Sequence, residues 1–326
     1  MKLDLIVVCA IALFAVTMNL FGAAQAQQVA YPAKTVRLVV PFAAGGTVDP
    51  LARVVAQELA KLTGVPFIIE NKPSAGTEIA IRYVMASPPD GYTMLVNGAS
   101  TVIFGTLNEQ SGFNPNTDLT HFAQIAVAPS AVLVRADSPY KILAEMLDKA
   151  RAAPDSITYG TPGVGTPTHI FMESMAYRAG VKLRHIPYKG AVQAMTDLIG
   201  GHISLMISSL ASATPHIRKG SLRALAVTSR ERQKDFPALQ TAAELFPGLE
   251  DESWLALSGP ARVPPELVAR ISALVGTVMA NPEMQKKLVD LGQVPAYLDS
   301  AGTAALYKRK TVDYSEVIKR ANIKIE

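Results

Sequence analysis

What most restricts the fold of this chain is a rhythm that it runs through twice: a short apolar stretch of strand length, then a longer stretch with helical spacing. In the first round the strand-like segments are 36–40, 66–69 and 92–96, and the helical ones are 51–62 and 77–85. Strand, helix, strand, helix, strand implies a parallel sheet with helices on its faces. Ligands of such sheets bind beyond the carboxyl ends of the strands. That rule sets the segments 42–49, 71–76 and 97–101 on one rim.

The rhythm breaks at 124–134, an apolar run interrupted by Pro129 with no helix between its halves, as expected of an extended link between two domains. A second round follows, with strands expected at 157–159, 183–186, 203–207 and 222–228 and helices at 140–152, 168–179, 190–199 and 214–219. After the loop-rich 230–250, a strand at 253–257 and amphipathic helices at 266–280, 282–291 and 301–323 are expected to pack back on the first domain. The expected division is 1–26 as a leader, 27–128 with 253–326 as one lobe, and 129–252 as the other. Two crossings between lobes make a hinge, and hinged lobes close on ligands.

Each round carries one glycine-rich turn between a strand and a helix. The first is Pro41-Phe42-Ala43-Ala44-Gly45-Gly46-Thr47-Val48-Asp49-Pro50. Asp49 suits a helix N-cap and Pro50 the first helical position. Backbone N–H groups that no side chain covers, at the positive end of a helix dipole, form a site for an anion. The second is Tyr159-Gly160-Thr161-Pro162-Gly163-Val164-Gly165-Thr166-Pro167-Thr168-His169. Neither is a nucleotide loop, since no Gly-Lys-Ser/Thr follows and the Rossmann spacing is absent. Taken alone, each also reads as a tight turn with a capped helix.

The amino terminus has the pattern of a secretory signal: Lys2, an apolar segment 5–21, and Ala24-Gln25-Ala26 as a small-x-small cleavage site. Cleavage after residue 26 would remove Cys9, the one cysteine, so the exported chain would form no disulfide. The net charge of +4 would survive, because Lys2 and Asp4 cancel. The charges are scattered, which fits small anionic ligands and argues against nucleic acid. The expected product is a monomer outside the cytoplasm.

Catalytic signatures are sparse. There is no Gly-x-Ser-x-Gly elbow and no His-Glu-x-x-His, and the five histidines have no metal-ligand spacing. No catalytic residue, metal or cofactor is therefore expected. His169 either faces the cleft from a helix start or serves in capping and packing. Tyr188 and Lys189, at a strand end, can reach the rim, Lys189 as a cation for a carboxylate.

Together these residues resemble the substrate-binding receptors of tripartite tricarboxylate transporters, the Bug or TctC-like family. The resemblance is carried by Val36-Arg37-Leu38-Val39-Val40-Pro41-Phe42, Gly45-Gly46-Thr47-Val48-Asp49, Glu70-Asn71-Lys72-Pro73, Pro89-Asp90-Gly91-Tyr92-Thr93, Pro187-Tyr188-Lys189-Gly190, Asp197-Leu198-Ile199-Gly200-Gly201 and Ser253-Trp254. It implies an α/β fold: a two-lobed periplasmic binding protein of type II-like, Venus-flytrap form, each lobe a mainly parallel sheet flanked by helices. It implies, further, a small organic carboxylate as ligand and, as partners, a large and a small membrane transporter subunit (TctA- and TctB-like). The site residues it points to are Phe42, Ala44, Gly46, Thr47, Asp49 and Asn97 from one lobe. From the other they are Gly163, Gly165, Thr166, His169, Tyr188, Lys189 and Ser208. Many members carry an Asp where this chain has Ser208-Ser209, and losing it disfavours ligands with an amino group. A sensing module for a membrane signalling protein, or an exported enzyme acting on a small acid, are the alternative functions.

Overall fold

In the computed structural model, residues 31–45, 48–74, 77–250 and 253–324 are described. The expected leader at 1–26 and the rim residues Gly46 and Thr47 lie outside them. Everything below belongs to the unit Lys34–Glu326.

The first strand, β1 (Val36–Val40), is a nearly continuous β-branched and leucine run, buried at four of its five positions. A strand buried on both faces needs helices on both sides. The first helix, α1 (Val48–Thr63), supplies one with a stripe of Leu51, Ala52, Val55, Ala56 and Leu59. There follow β2 (Phe67–Asn71), α2 (Glu78–Met85), β3 (Thr93–Gly98), α3 (Ala99–Leu107) and β4 (Leu119–Ala128). The chain then passes through Pro129 into β5 (Ser130–Arg135), α4 (Leu143–Ala152), β6 (Thr158–Thr161), α5 (Pro167–Ala179) and β7 (Arg184–Pro187). Next come α6 (Ala191–Gly200), β8 (Leu205–Ser209), α7 (Leu210–Arg218), β9 (Leu222–Val227) and the short α8 (Ala242–Leu245). The chain ends with β10 (Ser253–Pro260), α9 (Pro265–Ala280), α10 (Pro282–Asp290), β11 (Val294–Leu298) and α11 (Ser300–Arg320).

The strands form two sheets, ordered β11-β4-β10-β3-β1-β2 and β7-β6-β8-β5-β9. β1 runs parallel to β2 and β3, while β10 lies antiparallel between β3 and β4, so β1 to β4 share one direction. In the second sheet β6, β7 and β8 are parallel, and β5 lies antiparallel between β8 and β9. The sheets are thus mainly parallel in sense. Three strands are reversed: β11 at the edge of the first sheet, and β5 and β10, by which the chain enters each sheet from the other, and an entering strand starts where the parallel strands end.

Three elements were not expected. Residues 99–101 open α3 rather than a rim loop, the stretch 230–250 carries the short α8 behind a Thr241 capping box, and β11 pairs with β4 at the edge of the first sheet, the place where a strand tolerates a residue such as Pro295. Helix α7 begins at Leu210, four residues before the expected start, and carries Pro215 inside it. α11 does more than pack on its own sheet: Leu306 and Tyr307 join Val102 and Ile103 of α3 and Ile170 of α5 in one buried cluster. Among the described residues no helix is long and apolar enough to cross a membrane.

Candidate functional site

Strand register decides where the rims lie. The end of β4, Ala128, is paired with the start of β10, Ser253, and the end of β3, Gly98, with Leu255 two residues on. In the second sheet the start of β5, Ser130, is paired with Ser209 at the end of β8. The carboxyl ends of the parallel strands in both sheets therefore point to the crossing at Pro129. The loops after β1 and β6, which carry the two glycine turns, leave their sheets at this crossing. The second is packed on α3: a Cβ built on Gly165 would lie 2.5 Å from Cδ1 of Leu107. No hydrogen bond among the described residues joins one loop to the other.

The first loop is set by Asp49. Gly45 has φ +78°, and its N–H donates to Asp49 Oδ2 at 3.0 Å. Arg53 Nε donates to the same oxygen at 2.9 Å, and Asn71 Nδ2 donates both to Asp49 Oδ1 at 2.9 Å and to the Phe42 carbonyl at 3.0 Å. Asp49 is buried, and the Arg53 guanidinium, with the Gly45 and Asn71 donors, holds its carboxyl down at about 2. Instead of capping forward as an N-cap does, it reaches back to close the loop, inside a helix that starts at Val48, two residues before the expected first helical position Pro50. Phe42 is half-buried, and Ala43, Ala44 and Gly45 are exposed. The N–H groups of Ala43 and Ala44 have no hydrogen-bond partner among the described residues.

The second loop repeats this arrangement with a different acceptor. Gly165 has φ +71°, and its N–H donates to Nδ1 of His169, again four residues on, at 3.1 Å. Gly163, at φ +148°, donates its N–H to Thr161 Oγ1 at 3.3 Å, while its carbonyl accepts from Thr161 Oγ1 at 3.1 Å and from Thr166 Oγ1 at 2.8 Å. Thr166 caps α5 by accepting from the His169 N–H. The N–H groups of Val164 and Thr168 remain without a described partner, and the Val164 side chain is exposed. Hence the N–H groups of the described glycines 45, 163 and 165 are all engaged internally. Positive φ is what these glycines contribute, and their neighbours hold the uncommitted donors.

Beneath the second loop lies a cluster of the buried Tyr159 and His169 with the half-buried Glu173 and His185. The imidazoles of His169 and His185 are stacked with centroids 3.9 Å apart, and His185 Nε2 is 2.6 Å from Thr161 Oγ1. Tyr159 stacks on His185, and its hydroxyl donates to Glu173. Burial pushes His169 down to about 3, helped by His185, and His185 down to about 4, whereas it pushes the Glu173 carboxyl up.

The remaining expected residues differ in availability. Asn97 is buried and tied to Ser258 of β10 at 3.0 Å. The Tyr188 hydroxyl donates to Asp197 at 2.8 Å, and burial with that carboxylate pushes it up to about 12. Lys189 is exposed and has no described partner. Ser208 is buried next to the end of β8, opposite Ala131. The expectations about Gly46 and Thr47 fall on residues outside the description. The sequence did not single out Leu107, Val164 or Thr168. The usable signal was the spacing of Gly45 to Asp49 and of Gly165 to His169, a glycine four residues before an acceptor in both loops.

Comparison with known proteins agrees with this architecture. The family model described as "Tripartite tricarboxylate transporter family receptor" matches residues 51–323. The chain is 34% identical over 277 residues to a UPF0065 protein encoded in the gbd 5' region of Cupriavidus necator, covering 85% of this chain and 84% of that one. Among solved structures, the periplasmic binding protein BugD superposes with a TM-score of 0.75 at 29% identity, covering 91% of this chain and all of BugD. An R. palustris protein solved with adipate gives a TM-score of 0.76 at 30% identity, covering 90% and 99% of the two chains. MatC of Rhodopseudomonas palustris, solved with bound malate, gives 0.73 at 28% identity, covering 88% of this chain and all of MatC. With two helix-flanked sheets between which the chain crosses twice, and matches along nearly its whole length, the chain belongs to the tripartite tricarboxylate transporter receptor family, the TctC and Bug periplasmic binding proteins.

Proposed function

We propose that this protein is a periplasmic receptor that captures a small organic carboxylate between two lobes, 27–128 with 253–326 and 129–252, and delivers it to the large and small subunits of a TctA/TctB-like membrane transporter. The observation that carries the reading is the pair of glycine loops at the crossing, where the N–H groups of Ala43, Ala44, Val164 and Thr168 are uncommitted. Val164 and Thr168 flank the start of α5, where the helix dipole favours negative charge. Lys189, exposed just beyond the end of β7, adds a cation on the same rim. Adipate and malate in two of the similar structures are carboxylates of the size such donors suit.

A binding role also explains why the acid–base groups nearby have other tasks. Asp49 and His169 are buried and engaged in holding loop backbone. A leader at 1–26 would direct the chain to the periplasm and be removed there. Phe42, Ala44, Gly46, Thr47, Gly163, Gly165, Thr166, Tyr188, Lys189 and Ser208 form the proposed wall of the site, with Asp49, Asn97 and His169 behind it.

The test is a thermal-shift screen of protein freed of co-purified ligand against aliphatic monocarboxylates, dicarboxylates and aromatic acids. A true ligand at a hundredfold excess over its dissociation constant stabilises the fold by about 2.7 kcal/mol. A shift for at least one acid is expected. Shifts produced by sugars or amines and by no carboxylate would refute the reading.

A further inference from the structure

Both glycine loops are built on one plan. In each, a glycine with positive φ gives its N–H to a side chain four residues on, in the first turn of the next helix: Gly45 to Asp49 Oδ2 at 3.0 Å, and Gly165 to His169 Nδ1 at 3.1 Å. The acceptors differ in one chemical respect. An ionised carboxylate accepts from every direction, whereas an imidazole nitrogen accepts only while it carries no proton. A proton on Nδ1 of His169 would set two donors against each other at the Gly165 contact.

We propose that His169 is the positioning residue of the second ligand-holding loop, the counterpart of Asp49 in the first: its ring, kept neutral with the proton on Nε2, fixes the Gly165 turn and thereby the uncommitted Val164 N–H, and protonation of the ring releases that turn. The inference rests on the proposed role of the loop in holding a carboxylate. The surroundings of the ring favour its neutral form. His185 of β7 stacks on it at 3.9 Å, so a charge on one ring opposes a charge on the other. Tyr159 of β6 is 6.3 Å away, centroid to centroid. Glu173, one turn further along α5, has Oε1 at 3.9 Å from Nε2, but that oxygen takes the Tyr159 hydroxyl. From α11, Arg309, Lys310 and Asp313 line the cavity of about 910 Å³ that Glu173 also borders. From α3 the loop meets the apolar Leu107. The burial that lowers the affinity of His169 for protons keeps the acceptor in place at neutral pH.

The experiment follows glycine amides in ligand-free, glycine-selectively ¹⁵N-labelled full-length protein, with the imidazoles observed in parallel, from pH 8 downward. The Gly165 amide is expected to hold its hydrogen-bonded position from pH 8 to about 5 and to leave it in step with protonation of the His169 ring. Gly45 is the internal control and stays fixed, because the Asp49 carboxyl, held at about 2, is still mostly ionised where the His169 ring titrates. His169→Asn, whose side-chain oxygen sits near the Nδ1 position and cannot titrate, should keep the Gly165 position at pH 7 and abolish its acid shift. His169→Ala should lose the position at pH 7 while Gly45 is unmoved. A Gly165 amide that stays fixed as the ring titrates, or an Asn variant indistinguishable from the Ala variant, overturns the proposal. Should acid unfold the protein before the ring titrates, the two variants at pH 7 decide; should the variants not fold, the wild-type titration decides. No ligand is used, so the result is independent of whether any carboxylate binds.

Discussion

Asp49 answers for more donors than any other rim side chain: the Gly45 N–H, the Arg53 guanidinium and the Asn71 amide all converge on its two oxygens. Removing that acceptor takes a partner from the half-buried Asn71 amide, which keeps the Phe42 carbonyl, and from the exposed Gly45 and Arg53 donors, which can turn to water, so the cost is that of the net hydrogen bonding lost, about 0.5–1.5 kcal/mol. Asp49→Ala is therefore expected to lower the urea midpoint by an amount in that range. Asn71→Ala should lose less, because Gly45 and Arg53 keep their acceptor. An Asp49→Ala protein as stable as the parent would mean that the loop closes without its carboxylate. The residue types of both loops were legible in the chain, but their roles were not. Open glycines looked like the donors, and the backbone turned out to aim those donors inward. Sequence spacing shows that an acceptor lies four residues away, and only the folded turn brings it to the N–H.

At the scale of elements, the strands and helices with clean periodicity were legible, and the exceptions have a physical cause. α3 is Ala-Ser-Thr-Val-Ile-Phe-Gly-Thr-Leu, apolar on nearly every side and rich in β-branched residues, so it lacks both the stripe and the propensity that mark a surface helix. It is helical because β10, α5 and α11 enclose it, burying Val102 and Ile103 in a cluster with Trp254 and Tyr307. Ile103→Ala should then cost about 2–5 kcal/mol, read from denaturant unfolding. Val192→Ala, at a side chain 80% exposed on the first turn of α6, should change stability by less than about 0.5 kcal/mol. Equal effects at the two positions would place α3 at the surface. β11 escaped notice for a related reason: five residues with a proline make a strand only where an edge is waiting.

For the whole molecule the buried imidazoles set the response to acid. Burial holds His121 down to about 4, His169 to about 3 and His185 to about 4, against about 6.5 in an unfolded chain. Between those values the unfolded state binds more protons than the folded one. Stability is therefore fully present above about pH 6.5 and falls as the pH drops towards 4, by up to about 1.4 kcal/mol per pH unit for each ring. Asp49, with its folded value near 2, adds a loss only below the unfolded carboxyl value of 3.8. Unfolding midpoints in urea at pH 7.5, 6 and 5 should fall at each step, and more steeply per pH unit between 6 and 5 than between 7.5 and 6. A flat profile down to pH 5 would contradict the burial of neutral imidazoles.

The linear order of residues by itself determined the two rounds of strand and helix, the break at Pro129 and the presence of one glycine turn in each round, because periodicity and turn chemistry act over a few neighbours. Only the tertiary structure decided that β5 and β10 enter reversed, that both sets of carboxyl ends point to the crossing, and that each glycine N–H is taken by a side chain from its own helix start. Strand direction and hydrogen-bond partners are set by contacts between segments far apart in the chain or by the conformation of a single turn, and neither leaves a mark in local composition.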